Sequence, residues 1–323
     1  MLSRTASLLI AFAIAVASII PACAEAPYPN RPIRIVVPFG AGGFADFTVR
    51  ILGQKLTERT GAQVVIENRP GAGGIIAANA VLASPPDGYT LFVFSSGIVL
   101  SKSLLKSMPF DPVTAFSPIS TMALFDLLLL VRADSPLHTL KDALDAARAS
   151  PEKFNVGTIS PGSTQNVTAE LLRAISGAPM TIVPHRTSSE VLTALLRGDI
   201  QIGVETYAAL KSAVDTGQVR AIASSGSRRS RQQPNVPTLR ENGIDAAVDG
   251  WNSLVAPAGT PREIITFLND NVRAIIADPD YQKRMIELGG DPVTGSPEEL
   301  DARVKSDTVM WAGVVKKAGL EPN

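Results

Sequence analysis

The sequence predicts two α/β lobes, the second inserted into the first. Three observations carry this expectation. Apolar runs of strand length alternate with helical stretches, the pattern of a parallel sheet with crossover helices. The alternation breaks near residues 125–131 and then restarts. A late apolar segment, Trp251 to Pro257, then carries the chain back to the first lobe. A chain of 323 residues is long enough for two cores. The expected partition is an export signal over 1–24, a first lobe over 25–126 and 249–323, and a second lobe over 127–248. The crossings fall near 125–131 and 246–256.

The N-terminus comes first. Arg4 supplies a basic start, and residues 8–20 form an apolar stretch too short to span a bilayer. Ala22-Cys23-Ala24 resembles an A-x-A cleavage site, so cleavage is expected after Ala24. Cys23 is the sole cysteine; the alternatives here are an uncleaved anchor and a lipidated Cys23. Cleavage after Ala24 leaves no thiol, which excludes disulfide and cysteine-nucleophile chemistry.

In the mature part, residues 35–37 read as a strand, and Val49, Leu52 and Leu56 as the stripe of a helix ended by Gly61. A strand over 63–66 follows. The glycine-rich turn 69–74 leads into an alanine-rich helix to Ala83, and Pro85-Pro86-Asp87-Gly88 marks a turn before a strand over 89–94. In the second lobe, strands are expected at 154–159, 181–183, 200–204 and 219–223. Helices are expected at 166–176, 189–197 and 207–215. The C-terminal part is helical, with capping boxes at Thr260-Pro261-Arg262-Glu263 and Ser296-Pro297-Glu298-Glu299.

Charge narrows the function. Lys+Arg and Asp+Glu balance at 30 each, which gives no electrostatic case for nucleic acid. The two histidines, His138 and His185, lack ligand spacing, so neither a metal nor a cofactor is expected. The basic run Ser227 to Gln233 reads as a solvated loop.

Gly40-Ala41-Gly42-Gly43-Phe44-Ala45 fits G-x-G-x-x-[GA] between a strand and a helix, with Glu67 ending the next strand. One reading is therefore an exported oxidoreductase that cradles a dinucleotide. Export argues against it and favours a smaller anion on the loop. Ligands of open parallel sheets bind beyond the carboxyl ends of the strands. The loops there are rich in Gly, Ser and Thr, which suits a carboxylate held by neutral N–H and O–H donors. The candidates from the first lobe are Phe39, Gly40, Ala41, Gly42, Gly43 and Phe44, with Asp46 as a cap that fixes the loop, and Ser95 and Ser96. From the second lobe come Ser160, Gly162, Ser163, Thr164 and Gln165, then His185, Arg186, Glu205 and Thr206. Arg186 either contacts a carboxylate or pairs with Glu190. Glu205 either accepts from a ligand or pairs with Arg186. No G-x-S-x-G elbow, H-E-x-x-H motif or His–Ser pairing is recognisable, so a binding protein is favoured over an enzyme.

The chain resembles the Bug family, the extracytoplasmic solute receptors of tripartite tricarboxylate transporters. The stretches that carry the resemblance are Tyr28 to Phe39, Gly42-Gly43 with Asp46, Glu67-Asn68-Arg69-Pro70-Gly71-Ala72-Gly73-Gly74 and Pro86-Asp87-Gly88-Tyr89-Thr90-Leu91. Val236-Pro237-Thr238, Trp251 and Ala256 to Pro261 follow in family order. The resemblance implies a two-lobed periplasmic binding protein fold of type II with its ligand cleft between the lobes. It implies a small carboxylate held by main-chain groups of the first glycine loop and bridging waters, delivery to membrane permease subunits, and a monomer. A receptor that signals to a membrane kinase would use the same closed state. Three departures fall in the expected cleft. Gly40-Ala41-Gly42-Gly43 replaces a Pro-Pro-Gly-Gly type loop, His185-Arg186-Thr187 replaces Tyr-Lys-Gly, and Glu205 stands where Asp is common.

Overall fold

The computed structural model describes residues 27–317 and residue 319. The expected export signal, with Cys23, lies outside the described residues. Both sheets belong to one compact unit that begins at Arg31.

Among the described residues, eleven strands form two sheets. Strand β1 (Ile33–Val37) runs through the glycine loop into helix α1 (Phe44–Thr60), which Gly61 ends in the left-handed conformation at φ +73°. Strand β2 (Val64–Asn68) follows, then a short 3-10 turn at Ala72–Gly74 and helix α2 (Ile75–Leu82). Strand β3 (Thr90–Ser95) passes directly into helix α3 (Ser96–Leu104). The long strand β4 (Phe116–Phe125) ends this first run.

Two residues later, β5 (Leu128–Arg132) lies in the other sheet. Helix α4 (Leu140–Ala149), β6 (Asn155–Thr158), α5 (Thr164–Ser176), β7 (Thr181–Pro184) and α6 (Ser188–Arg197) follow. Strand β8 (Ile202–Glu205), α7 (Tyr207–Asp215) and β9 (Val219–Ser224) complete that sheet. The chain then returns as β10 (Gly250–Pro257), and α8 (Arg262–Ile276), α9 (Pro279–Glu287), β11 (Gly290–Pro292) and α10 (Pro297–Lys317) close the structure.

The strand orders are β11-β4-β10-β3-β1-β2 and β7-β6-β8-β5-β9. The sheets are mixed, which departs from the expected parallel pattern. β1 is parallel to β2 and β3, and β6 is parallel to β7 and β8. β10 is antiparallel to β3 and β4, and β5 is antiparallel to β8 and β9. The reason is connectivity: β5 and β10 arrive from the other sheet, without the helical crossover that brings a strand back parallel. Ser225 ties the crossings together. Its hydroxyl accepts from Leu127 N–H (3.0 Å) and donates to Val248 O (2.8 Å).

Two further expectations need correction. Ser96 is not a loop residue; it opens α3. The box at Thr260 does not form, because the Thr260 hydroxyl donates to Pro257 O (2.8 Å) and Pro261 precedes α8 without a side-chain cap. The second box forms as expected. Ser296 N–H donates to Glu299 Oε2 (2.8 Å), and Glu299 N–H donates to Ser296 Oγ (3.2 Å).

Candidate functional site

The carboxyl ends of β1, β3, β6, β7 and β8 each lead within a few residues into a helix, and residues at those junctions line one cavity. They include Gly43, Phe44 and Ala45 at the start of α1, and Ser95 before α3. Thr164 and Gln165 open α5, Thr187 and Ser188 stand at the start of α6, and Thr206 precedes α7. Five helix N-termini, counted among the described residues, therefore meet at this space. Each presents unpaired backbone N–H groups and positive partial charge. An anion placed there gains about 0.3–1 kcal/mol per exposed terminus, and more when partly buried.

The glycine loop is held from behind. Gly42 has φ +84°, a conformation that favours glycine, and its N–H donates to Asp46 Oδ2 (3.0 Å). Asn68 Nδ2 donates to Asp46 Oδ1 (2.9 Å) and to Phe39 O (3.1 Å), and Arg50 Nε donates to Asp46 Oδ2 (2.9 Å). Burial pushes the Asp46 carboxyl up. The Arg50 guanidinium outweighs it together with Gly42 N–H and the Asn68 amide, so the acid is held below its ordinary range. Asp46 thus fixes the loop, as its position in the first turn predicts. Gly43 caps α1 without a side chain, which leaves the first N–H groups of that helix uncapped. Gly40 explains a departure in the sequence. A Cβ there would lie 2.8 Å from Thr187 Cγ2 and 3.0 Å from Arg186 O, so the loop needs glycine to approach the second sheet.

Contacts between the two sheets' loops continue along one edge. The Ser96 and Thr164 hydroxyls share a hydrogen bond at 3.2 Å, and Ser101 Oγ donates to Gly162 O (3.1 Å). Gly97 packs directly on the Gly162–Thr164 backbone.

Not every candidate faces the cavity. Phe39, Gly40, Gly43, Phe44, Ser95, Thr164, Gln165, Arg186 and Thr206 line it. Ala41, Gly42 and Asp46 form and anchor the loop. Ser96 and Gly162 sit in the contact edge. Ser163 caps α5 by accepting from Asn166 N–H (3.1 Å), and Ser160 O accepts from Ser163 N–H (3.1 Å). His185 Nε2 is buried near Gly157 with no partner, and His185 is not among the lining residues although its neighbour Arg186 is. Glu205 is fully buried behind Gln165. Its Oε2 accepts from Gln165 Nε2 (3.2 Å) and Thr206 N–H (3.0 Å), and the Ser188 side chain also approaches the carboxyl. Burial pushes this carboxyl up.

Neither proposed ion pair of Arg186 forms. Glu190 Oε2 instead accepts the Arg186 backbone N–H (2.9 Å), and the exposed guanidinium makes no ion pair among the described residues. Ser95 Oγ is buried, unpartnered and on the cavity wall. Sequence reading missed Ala45, Phe125, Ile159, Thr187, Ser188 and Asn252. Thr187 and Ser188 had a signal, since a Thr-Ser-Ser run precedes a helix. Asn252 had only its place beside Trp251.

Two other motifs are occupied structurally. Glu67, the acid a dinucleotide ribose would need, is bound by Arg69 (2.6 Å) and Arg34 (3.1 Å). The basic run near Ser227 borders a larger cavity of about 390 Å³, where Arg228 and Arg231 pair with Asp291, and Arg229 pairs with Glu241.

Helix N-termini from two sheets, converging on neutral donors, define a solute-binding α/β protein. Sequence comparison then gives the family: the TctC profile, described as "Tripartite tricarboxylate transporter family receptor", matches residues 48–320, and the chain belongs to that family. It is 31% identical to Protein BugT of Bordetella pertussis over 309 residues, covering 95% of each chain. Among solved structures it is similar to R. palustris Rpa4515 with adipate, at 32% identity and TM-score 0.87, covering 92% of this chain and 100% of that one. It is also similar to MatC (Rpa3494) from Rhodopseudomonas palustris with bound malate, at 29% identity and TM-score 0.85, covering 89% and 100%. The family's members are periplasmic solute receptors. No helix among the described residues is long and apolar enough to cross a membrane.

Proposed function

We propose that the chain is exported by residues 1–24, works in the periplasm, and captures a small carboxylate without catalysing its conversion. Residues 25–126 with 249–323 form one lobe, and 127–248 the other. The lobes close on the ligand, and the monomeric receptor delivers it to membrane permease subunits. The observation that carries this reading is the meeting of five helix N-termini on one cavity where, among the described residues, the only charged lining residue is Arg186. The glycine loop N–H groups and the Ser95 hydroxyl take the carboxylate, Thr164, Gln165 and Thr206 meet it from the other lobe, and Arg186 is placed for a second carboxylate. The remaining space is about 30 Å³, room for water but not for a carboxylic acid, so entry requires the walls to part. The adipate and malate in the relatives support the same ligand class.

The test is thermal unfolding of the exported protein after unfolding and refolding strip any carried ligand. A carboxylate at 100 times its dissociation constant adds about 2.7 kcal/mol and raises the midpoint by several degrees. A rise with NAD alone would overturn the proposal and favour the oxidoreductase.

A further inference from the structure

The cavity walls also carry a distinct apolar component. Four apolar side chains larger than alanine line it: Phe39, Phe44, Phe125 and Ile159. Phe44 and Phe125 form a ring pair with centroids 5.0 Å apart, tilted by 52°, inside one buried cluster. Ile159 belongs to a different cluster, against which Phe39 packs. The two patches are therefore anchored in separate cores.

The ring pair packs directly on strand backbone. A Cβ at Gly290 would lie 2.5 Å from Phe44 Cζ, and one at Gly250 would lie 2.3 Å from Phe125 Cε2. Strands β10 and β11 thus carry glycine where each ring needs the space.

Charge in the same cavity is scarce. Arg186 is the only charged lining residue among those described, and Glu205 is screened by Gln165. Such a wall suits few ligands. A tricarboxylate would bring three negative charges to one exposed guanidinium and the helix termini. A hydroxylated acid would need for its hydroxyls the same polar residues that the carboxylate uses, Ser95, Thr164, Gln165, Thr206 and Asn252, and any hydroxyl turned to the phenyl rings would be buried without a partner. A ligand with one anionic end and a flat apolar body satisfies both parts of the wall. Its carboxylate takes the N–H groups and Ser95, and its body packs on Phe44, Phe125 and Ile159.

We propose that the cleft selects carboxylates with an apolar, preferably aromatic, body over hydroxylated and tricarboxylic acids. This rests on the carboxylate reading above and narrows it. The experiment is calorimetric titration of the stripped, exported protein with benzoate, cyclohexanecarboxylate, L-malate and citrate. Benzoate and cyclohexanecarboxylate are expected to bind about tenfold or more tighter than malate and citrate. Phe125→Leu, which keeps apolar volume but removes the ring, narrows the ratio of benzoate to malate affinity. If that variant does not fold, Phe44→Leu serves the same purpose, and the ranking in the unaltered protein decides in either case. Malate or citrate binding as tightly as benzoate would overturn this inference and leave the carboxylate reading intact. Failure of all four, together with malonate, succinate and adipate, would overturn the reading beneath it.

Discussion

Replacing Gly97 by alanine should weaken capture while leaving the fold intact. Gly97 lies in the first turn of α3, in a helical stretch where alanine is favoured by up to about 1 kcal/mol. The added methyl would sit 2.7 Å from Gly162 O, 2.9 Å from Thr164 N and 3.1 Å from Ser163 C. All three are backbone atoms, so no side chain can rotate away. The shortest approach falls about 0.7 Å inside ordinary contact, and the lobes must separate there by a similar amount. That separation strains the Ser96–Thr164 bond (3.2 Å) and the bond from Ser101 Oγ to Gly162 O (3.1 Å). Two hydrogen bonds are worth about 1–3 kcal/mol together, charged to the closed state alone. Affinity should therefore fall about 5- to 150-fold. Calorimetric titration reads the affinity, and thermal unfolding without ligand should give a midpoint equal to or above that of the parent. A Gly97→Ala protein that folds and binds as tightly as the parent would refute the role of this contact in capture.

Three other perturbations test separate parts of the site. Asp126 lies where the chain first crosses between sheets; its Oδ1 accepts from Ser230 Oγ (3.3 Å) and its Oδ2 is buried without a partner. Burial pushes its carboxyl up to about 6, with Asp249 and Asp291 adding to the rise. The folded state thus prefers the protonated acid, and this contribution is complete below about pH 4 and lost as pH climbs through about 6. Asp126→Asn should raise the melting midpoint at pH 8 and give little gain at pH 4; an equal gain at both would contradict this. Arg186→Ala should weaken adipate about five- to tenfold more than benzoate, because only the dicarboxylate has a second charge to offer the guanidinium; equal losses in titration would make Arg186 a structural residue. Asp46→Ala removes the acceptor for Gly42, Asn68 and Arg50, and should cost about 1–3 kcal/mol in denaturant unfolding at pH 7. Since the Asp46 carboxyl is held below its ordinary range, its stabilisation is full above about pH 4 and fades as pH falls further, so the gap between parent and variant should shrink in acid.

Much of the fold was legible because local rules agreed with tertiary demand. Gly61 and Gly198 stop α1 and α6 in the left-handed conformation, and Ser296 with Glu299 forms its box. Helix α3 was not legible: Ser95 and Ser96 read as loop residues after a strand, and the helix they open is buried along most of its length. Thr260 shows the converse, a good capping sequence whose hydroxyl finds a nearer carbonyl in Pro257. In the site, the glycine loop and the helix-opening hydroxyls announce themselves, since their chemistry is local. Phe125, Ile159 and Asn252 reach the cavity only through sheet register and the chain crossings. His185 and Glu205 looked like cleft residues from their place after strands, yet neither lines the cavity, and Glu205 is fully buried against Gln165.

The central claim is that a carboxylate is captured by lobes that close around it. Small-angle X-ray scattering tests this most directly, using the stripped, exported protein with and without a carboxylate that has raised its melting midpoint. Contraction on addition of that ligand, with a smaller radius of gyration, is the expected result. An unchanged profile at saturating ligand would contradict capture by closure.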